Sequence, residues 1–103
     1  METYLTEFLK EINDARQKNN FLPCREIKVA GGRKFLKLAE YSDGRPVSAW
    51  GFIATTNGSL NGIPYSEGDL MKPAGWAGPA PHARGNIIAG TAQWDTYGPK
   101  YLK

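Results

Sequence analysis

The chain has 103 residues and lacks most of what a chemical site requires. It holds a single cysteine, Cys24, so no internal disulfide can form. It holds a single histidine, His82, with no second ligand at a metal-binding spacing. No apolar run approaches the ~20 residues of a membrane helix, and no basic segment precedes an apolar one at the N-terminus. These absences predict a cytoplasmic protein with no metal, no cofactor and no membrane association.

Catalytic groups are equally sparse. The carboxylates Asp43, Glu67 and Asp69 are scattered and form no pair of the kind that acid–base catalysis uses. Cys24 and His82 would act as nucleophile and base only if the fold brought them together, and no local motif orients His82. The sequence therefore predicts a protein without catalytic residues, which is not an enzyme.

Positive charge, by contrast, is concentrated in one block. Hydrophobic residues make up 41% of the chain and charged residues 22%, which suits one domain with one modest core. The net charge is only +3, yet residues 15–37 hold seven of the 13 Lys and Arg residues and a single Glu. Residues 1–14 are acidic and the remainder is balanced. A localised block of this kind indicates a binding surface more than a general property of the protein.

The N-terminal pattern predicts an amphipathic helix from Thr3 to Lys18, with Thr3 as its N-cap. Asn19-Asn20 and Pro23 are expected to end it. Apolar residues recur at the i, i+3, i+4, i+7 spacing of one buried stripe, which comprises Leu5, Phe8, Leu9, Ile12 and Ala15.

Alternating patterns after residue 23 predict a sheet. Gly31-Gly32 and Asp43-Gly44 are typical hairpin turns, and residues 54–67 have the composition of a loop. Residues 94–103 form a tail. The expected strands are Cys24 to Ala30, Arg33 to Ser42, Val47 to Ala54, Asp69 to Lys72 and Asn86 to Gln93. The predicted fold is α+β: one domain, residues 1–103, with the helix packed on a four- to five-stranded antiparallel meander.

The segment 72–87 lies between two predicted strands and is so rich in Gly, Pro and Ala that it predicts a loop. Trp76 either plugs this loop into the core or stands out as an anchor for a partner. Arg84 either ties loop carbonyls together or binds a carboxylate or phosphate. Trp76, His82 and Arg84 are therefore candidate binding residues.

Strand alternation suggests a second candidate surface. If the aliphatic faces of the strands meet the helix, the opposite face interleaves cations with rings, which suits single-stranded nucleic acid. The alternative is that the rings are core residues buried beneath the loops. At one end, Gly31-Gly32-Arg33-Lys34 either cradles an anion or is only a hairpin turn with solvated charges. The candidates on this surface are Arg33, Lys34, Phe35, Lys37, Tyr41 and Trp50.

One stretch resembles short, uncharacterised bacteriophage proteins. It runs Gly68-Asp69-Leu70-Met71-Lys72-Pro73-Ala74-Gly75-Trp76, then Pro79-Ala80 and His82-Ala83-Arg84-Gly85-Asn86-Ile87, and it follows the strand from Ala49 to Ile53. The resemblance covers between a third and a half of the chain, and the residues from Thr55 to Tyr65 depart from it as an insertion. It implies a viral origin and a host cytoplasm, and it brings no activity with it.

These observations favour a small, non-enzymatic accessory protein of phage type that binds a host or phage macromolecule. A protein is the first expected partner. The alternative is a single-stranded nucleic acid, a nucleotide or another phosphate-bearing ligand, bound by the basic block 25–37 and the aromatic sheet face. Strand edges and the Gly/Pro segment would also permit a homodimer.

Overall fold

A computed structural model describes residues 2–18, 26–76, 78–95 and 98–99. In chain order its elements are α1 (Glu2–Lys18), β1 (Glu26–Gly31), β2 (Phe35–Ser42), β3 (Arg45–Ala54), β4 (Gly58–Leu60), β5 (Ile63–Tyr65), β6 (Asp69–Pro73), β7 (Pro79–Asn86), β8 (Trp94–Asp95) and β9 (Gly98–Pro99). The main sheet is antiparallel, with strand order β1-β2-β3-β6-β7, and β4–β5 and β8–β9 are separate two-stranded ribbons. The predicted α+β fold, with a helix and an antiparallel sheet, is confirmed.

The inner face of the sheet is the one that α1 covers. Phe8 and Ile12 of α1 are buried there, and Leu5 and Leu9 pack beside them, as the helical stripe predicts. Thr3 lies inside the helix and is not its N-cap. The helix and the sheet share one cluster of buried side chains, which comprises Phe8, Ile12, Ile27, Leu38, Trp50, Ile53, Leu70 and Ile87.

Two polar side chains of α1 also attach the helix to the sheet. The Asn13 side chain donates to the Ile27 carbonyl at 3.1 Å and accepts from the Ile27 N–H at 2.8 Å, so it acts as a strand partner for the edge of β1. Arg16 is 3% exposed, and its Nη2 lies 3.5 Å from Oε1 of Glu40 on β2. Hydrophobic spacing alone did not reveal either contact.

Two irregularities in the β2–β3 pairing change the face on which β3 residues lie. Leu38 pairs with Gly51 and Ala39 with Ala49, so Trp50 is an extra residue, and a second shift follows near Val47. A bulge of this kind interrupts the strict alternation of side chains. Trp50 therefore packs on Phe8 on the inner face, at 6.1 Å between ring centroids, and not beside Phe52 as alternation predicts.

The outer face is half covered by the β4–β5 hairpin. Its turn, Asn61-Gly62, has φ values of 52° and 80°, as the two central residues of a type I′ turn require. The prediction of a loop over 54–67 is thus wrong. The sequence did not reveal these two strands, because three residues are too few to give a periodic pattern. The predicted turn at Asp43-Gly44 is confirmed, with positive φ at both residues. Gly31 and Gly32 also have positive φ, but Gly31 belongs to β1, so the connection to β2 runs over residues 32–34.

The segment 72–87 is mostly a β-hairpin, not a loop. Strand β6 extends to Pro73 and β7 begins at Pro79, and between them the Ala74 N–H donates to the Gly78 carbonyl at 3.0 Å. The prolines are tolerated because β7 is an edge strand and its pairing with β6 is irregular. The last strand of the sheet consequently ends at Asn86, where the sequence pattern predicted that it would begin.

Asn86 explains why the Gly-Asp and Arg-Gly-Asn motifs occur together. Its Nδ2 donates to Asp69 Oδ1 and to the Glu67 carbonyl, both at 2.9 Å. Its Oδ1 accepts from the N–H groups of Ile88 and Ala89. A Cβ on Gly85, at φ 91°, would lie 2.0 Å from the Thr91 carbonyl oxygen. The two motifs therefore hold one end of the β6–β7 hairpin against the turn that follows it.

The C-terminal residues add a third aromatic ring to the inner face. Trp94 lies 6.0 Å from Phe8 and 6.2 Å from Trp50 between ring centroids, both edge-to-face. Cys24, the predicted helix stop at 19–23 and residues 96–97 and 100–103 of the tail lie outside the described residues. Within the described chain, no helix is long and apolar enough to cross a membrane.

Candidate binding surface

The described residues contain no group of three His, Cys, Asp or Glu side chains that could hold a metal ion. His82 lies on β7 with its side chain exposed. Its pairing with Cys24 lies outside the described part of the chain. The outer face of the sheet carries three of the predicted candidates, Phe35, Lys37 and Tyr41.

The half of the outer face beneath the β4–β5 hairpin is a second, smaller core. Phe52, Ala54 and Met71 are buried there with Tyr65 of β5. Phe35 packs on Tyr65 at 5.0 Å between ring centroids. The interpretation of Phe35 and Phe52 as core residues, covered by the segment 54–67, is thus the one that the geometry fits.

The other half of this face carries Lys28, Lys37, Tyr41 and Trp76, which we call the outer strip. Tyr41 and Lys37 point to the same side of β2, and Lys28 of β1 pairs with Ala39 between them. On its other side, Ala39 pairs with Ala49 of β3. Both alanines are too small to cover these long side chains. The strip is therefore a shallow surface with two cations and two rings.

Trp76 contacts Lys37 on the strip. The Lys37 ammonium lies 3.9 Å from the centroid of the Trp76 ring, well within the range of a cation–π contact. Trp76 nevertheless remains 48% exposed, the largest value among the exposed large hydrophobic side chains. The expectation that Trp76 plugs into the core is wrong, because about half of its surface is exposed and its ring contacts Lys37 on the outer face. Its interpretation as an anchor stays a prediction.

The second ring of the strip has its own cation. The Lys28 ammonium lies 5.7 Å from the centroid of the Tyr41 ring, and the Tyr41 hydroxyl donates to the Val29 carbonyl at 3.4 Å. Glu26 pairs with Tyr41 and places one carboxylate at this end of the strip. The strip as a whole keeps an excess of positive charge.

The basic turn at residues 31–34 lies beyond the covered half of the face. The Arg33 and Lys34 side chains are exposed. Their carbonyls accept from the Thr55 hydroxyl, at 2.5 and 3.1 Å, and the Thr55 N–H donates to Lys34 at 2.9 Å. These contacts hold the turn against the end of β3, and its role as an anion cradle stays a prediction.

Arg84 is 9% exposed, and its Nη1 donates to the His82 carbonyl. Burial lowers the pKa of its guanidinium below its ordinary value. The Arg84 carbonyl also accepts from the Gln93 N–H at 2.7 Å. These contacts agree with a structural role of Arg84 within the hairpin rather than with a surface that meets a ligand.

The structure thus brings Lys37, Tyr41 and Trp76 together and leaves the other candidates elsewhere. Trp50 is buried on the inner face. Lys28 was included only as part of the basic block 25–37, although its alternation with Ile27 and Val29 placed it on the face away from the apolar residues. What the sequence could not show is that Ala39 lies opposite Lys28, which brings Lys28 diagonally next to Lys37.

Comparisons with protein-family models, with curated proteins and with solved structures give no match to this chain.

Proposed function

We propose that this chain is a small accessory protein of phage type, without an active site of its own, which binds a host or phage macromolecule through the outer strip. The phage assignment depends on the resemblance of residues 68–87 to short phage proteins. The binding surface depends on the structure of the described part of that segment, in which one large hydrophobic side chain is exposed.

Trp76 is that side chain. Asp69 and Asn86 bond to each other, Arg84 is buried, and Ile87 belongs to the inner core. Trp76 instead exposes 48% of its surface while its ring contacts Lys37. Exposing an indole to water is unfavourable, and Trp is among the residues most often found at the centre of binding surfaces. This exposure is the observation that carries the proposal.

A protein with an acidic patch is one partner that the strip suits, because Lys28 and Lys37 would meet carboxylates around the Trp76 anchor. A phosphate-bearing ligand is the second candidate, and the same two cations favour it. Both candidates require Trp76 and Lys37 to be accessible from solvent.

Capture from a bacterial extract tests this function. The protein is immobilised and incubated with extract, with and without nuclease treatment, and the retained protein and nucleic acid are both quantified. Trp76→Ala is expected to lose the retained species. Tyr4→Ala is the matched control, because Tyr4 is an aromatic residue of similar exposure, 44%, on α1. Equal retention by the parent and both variants would contradict the proposal.

A further inference from the structure

We infer that the ligand of the outer strip is a single-stranded nucleic acid, with neighbouring phosphates at Lys28 and Lys37 and a base stacked on Trp76. This inference rests on the proposed function and names its ligand class. It follows from the order of groups along the strip, which is ring, cation, cation, ring.

The spacing of the two cations comes from the register of β1 and β2. Lys28 pairs with Ala39, and Lys37 precedes Ala39 by two residues on the same face. Diagonal neighbours of this kind lie about 7–8 Å apart in an antiparallel sheet. Two ammonium groups on long stems can therefore meet successive phosphates of one strand, whose charge repeats with every nucleotide.

The rings decide between a nucleic acid and an acidic protein. An acidic peptide would need the two cations but no flat surface beside each of them. A single strand offers one phosphate and one unstacked base in every repeat, and bases stack on exposed aromatic side chains. Lys37 contacts the Trp76 ring, and the 48% of Trp76 that remains exposed is available for a base.

The same geometry disfavours a duplex. Bases within a double helix are stacked on each other, so their flat faces cannot reach Trp76 or Tyr41.

The β4–β5 hairpin also covers Phe35 and Phe52, which removes two rings from the face. The strip that remains suits roughly two nucleotides, comparable with the two or three bases that other sheet surfaces stack.

Fluorescence anisotropy at low salt tests the inference. The probes are a short fluorescein-labelled oligothymidylate, an oligouridylate of equal length and a duplex of the same length. The parent protein is expected to bind the single strands more tightly than the duplex, and the two single-stranded probes show whether DNA or RNA is preferred. Equal binding to all three probes, or none to the single strands, would overturn the inference.

Substitutions separate stacking from charge. Trp76→Ala is expected to weaken binding to oligothymidylate about tenfold, and Trp76→Phe to restore most of it, because stacking requires a ring. Lys28→Gln with Lys37→Gln is expected to weaken binding and to lower the slope of log K against log salt by about 1.4, since each phosphate contact on a single strand contributes about 0.7. Lys10→Gln, on the exposed side of α1, is the charge control and should change neither quantity.

The outcomes distinguish this inference from the proposed function. If oligothymidylate binding is unaffected by Trp76→Ala, the ligand class is wrong. If capture of protein from extract still requires Trp76, the outer strip is a binding surface for a protein and the proposed function survives. If neither experiment depends on Trp76, both proposals fail. Circular dichroism of each variant confirms that the fold is intact.

Discussion

The two faces of the five-stranded sheet are covered in different ways. On the inner face, α1 and Trp94 close over a continuous cluster that draws on β1, β2, β3 and β6 and on Ile87, the residue after β7. On the outer face, the β4–β5 hairpin covers only the part around Phe52 and Met71, and the strip around Lys37 stays open. The inner face thus holds the larger of the two cores, whereas part of the outer face remains available to contact another molecule.

The largest expected loss of stability follows from a substitution on the inner face. Trp50 is 2% exposed and contacts both Phe8 and Trp94, so Trp50→Ala should lower the free energy of unfolding by about 3–5 kcal/mol. Trp76→Ala removes the same side chain from the outer strip and should cost less than about 1 kcal/mol. Urea unfolding followed by circular dichroism measures both. Similar losses for the two variants would show that the faces do not differ as described.

The second effect concerns the edge of the sheet. Asn13→Ala leaves the N–H and carbonyl of Ile27 without their side-chain partner, in a residue that is 1% exposed. An unsatisfied buried polar group costs about 1–3 kcal/mol, so the urea midpoint should fall accordingly. Gln17→Ala, at an exposed position of the same helix, is the control. An unchanged midpoint for Asn13→Ala would mean that α1 does not close the edge of β1.

The third effect tests whether the hairpin cover belongs to the cooperative fold. Gly62 has φ 80° and open space where a Cβ would lie, so Gly62→Ala acts on the backbone alone and should cost about 1–2 kcal/mol. Gly75→Ala is the matched control, because Gly75 also has open space but no positive φ. The stability of this variant should be unchanged or slightly raised. If Gly62→Ala accelerates amide exchange only in residues 58–65, the hairpin opens independently of the sheet.

The sequence predicted the structure correctly where a long periodic pattern packs on one surface. The stripe of α1 and the turn at Asp43-Gly44 follow from spacing and from backbone sterics. The prediction failed where strand pairing overrode a local rule, such as side-chain alternation or the exclusion of proline from strands. Trp50 moved to the inner face through a bulge that alternation cannot show, and β7 formed despite Pro79 and Pro81 because an edge strand has fewer N–H groups to supply.

The candidate site was predicted in part for the same reason. Lys37 and Tyr41 share a face by alternation within one strand, which the sequence shows directly. The position of Trp76 over Lys37 requires the β6–β7 hairpin to reach across the outer face, which is a long-range contact between residues 39 positions apart. Composition identified Trp76 as unusual but could not indicate its neighbour.

The smallest expected effect is the one that most directly tests the outer strip. Trp76 is exposed and Lys37 is half-buried, so their contact should contribute only about 0.5–1 kcal/mol to the free energy of unfolding. A double-mutant cycle with Lys37→Gln and Trp76→Ala isolates that coupling from the effect of each change alone. The parallel cycle with Lys34→Gln should give no coupling, because Lys34 is exposed at the turn beyond the covered half of the face.

The sign and size of that coupling also bear on function. A favourable coupling in the free protein means that the Trp76 ring is already positioned before a ligand arrives, so binding does not have to order the segment 74–78. Zero coupling would mean that Lys37 does not hold the ring in solution. The outer strip would then lack the fixed aromatic surface on which a base could stack.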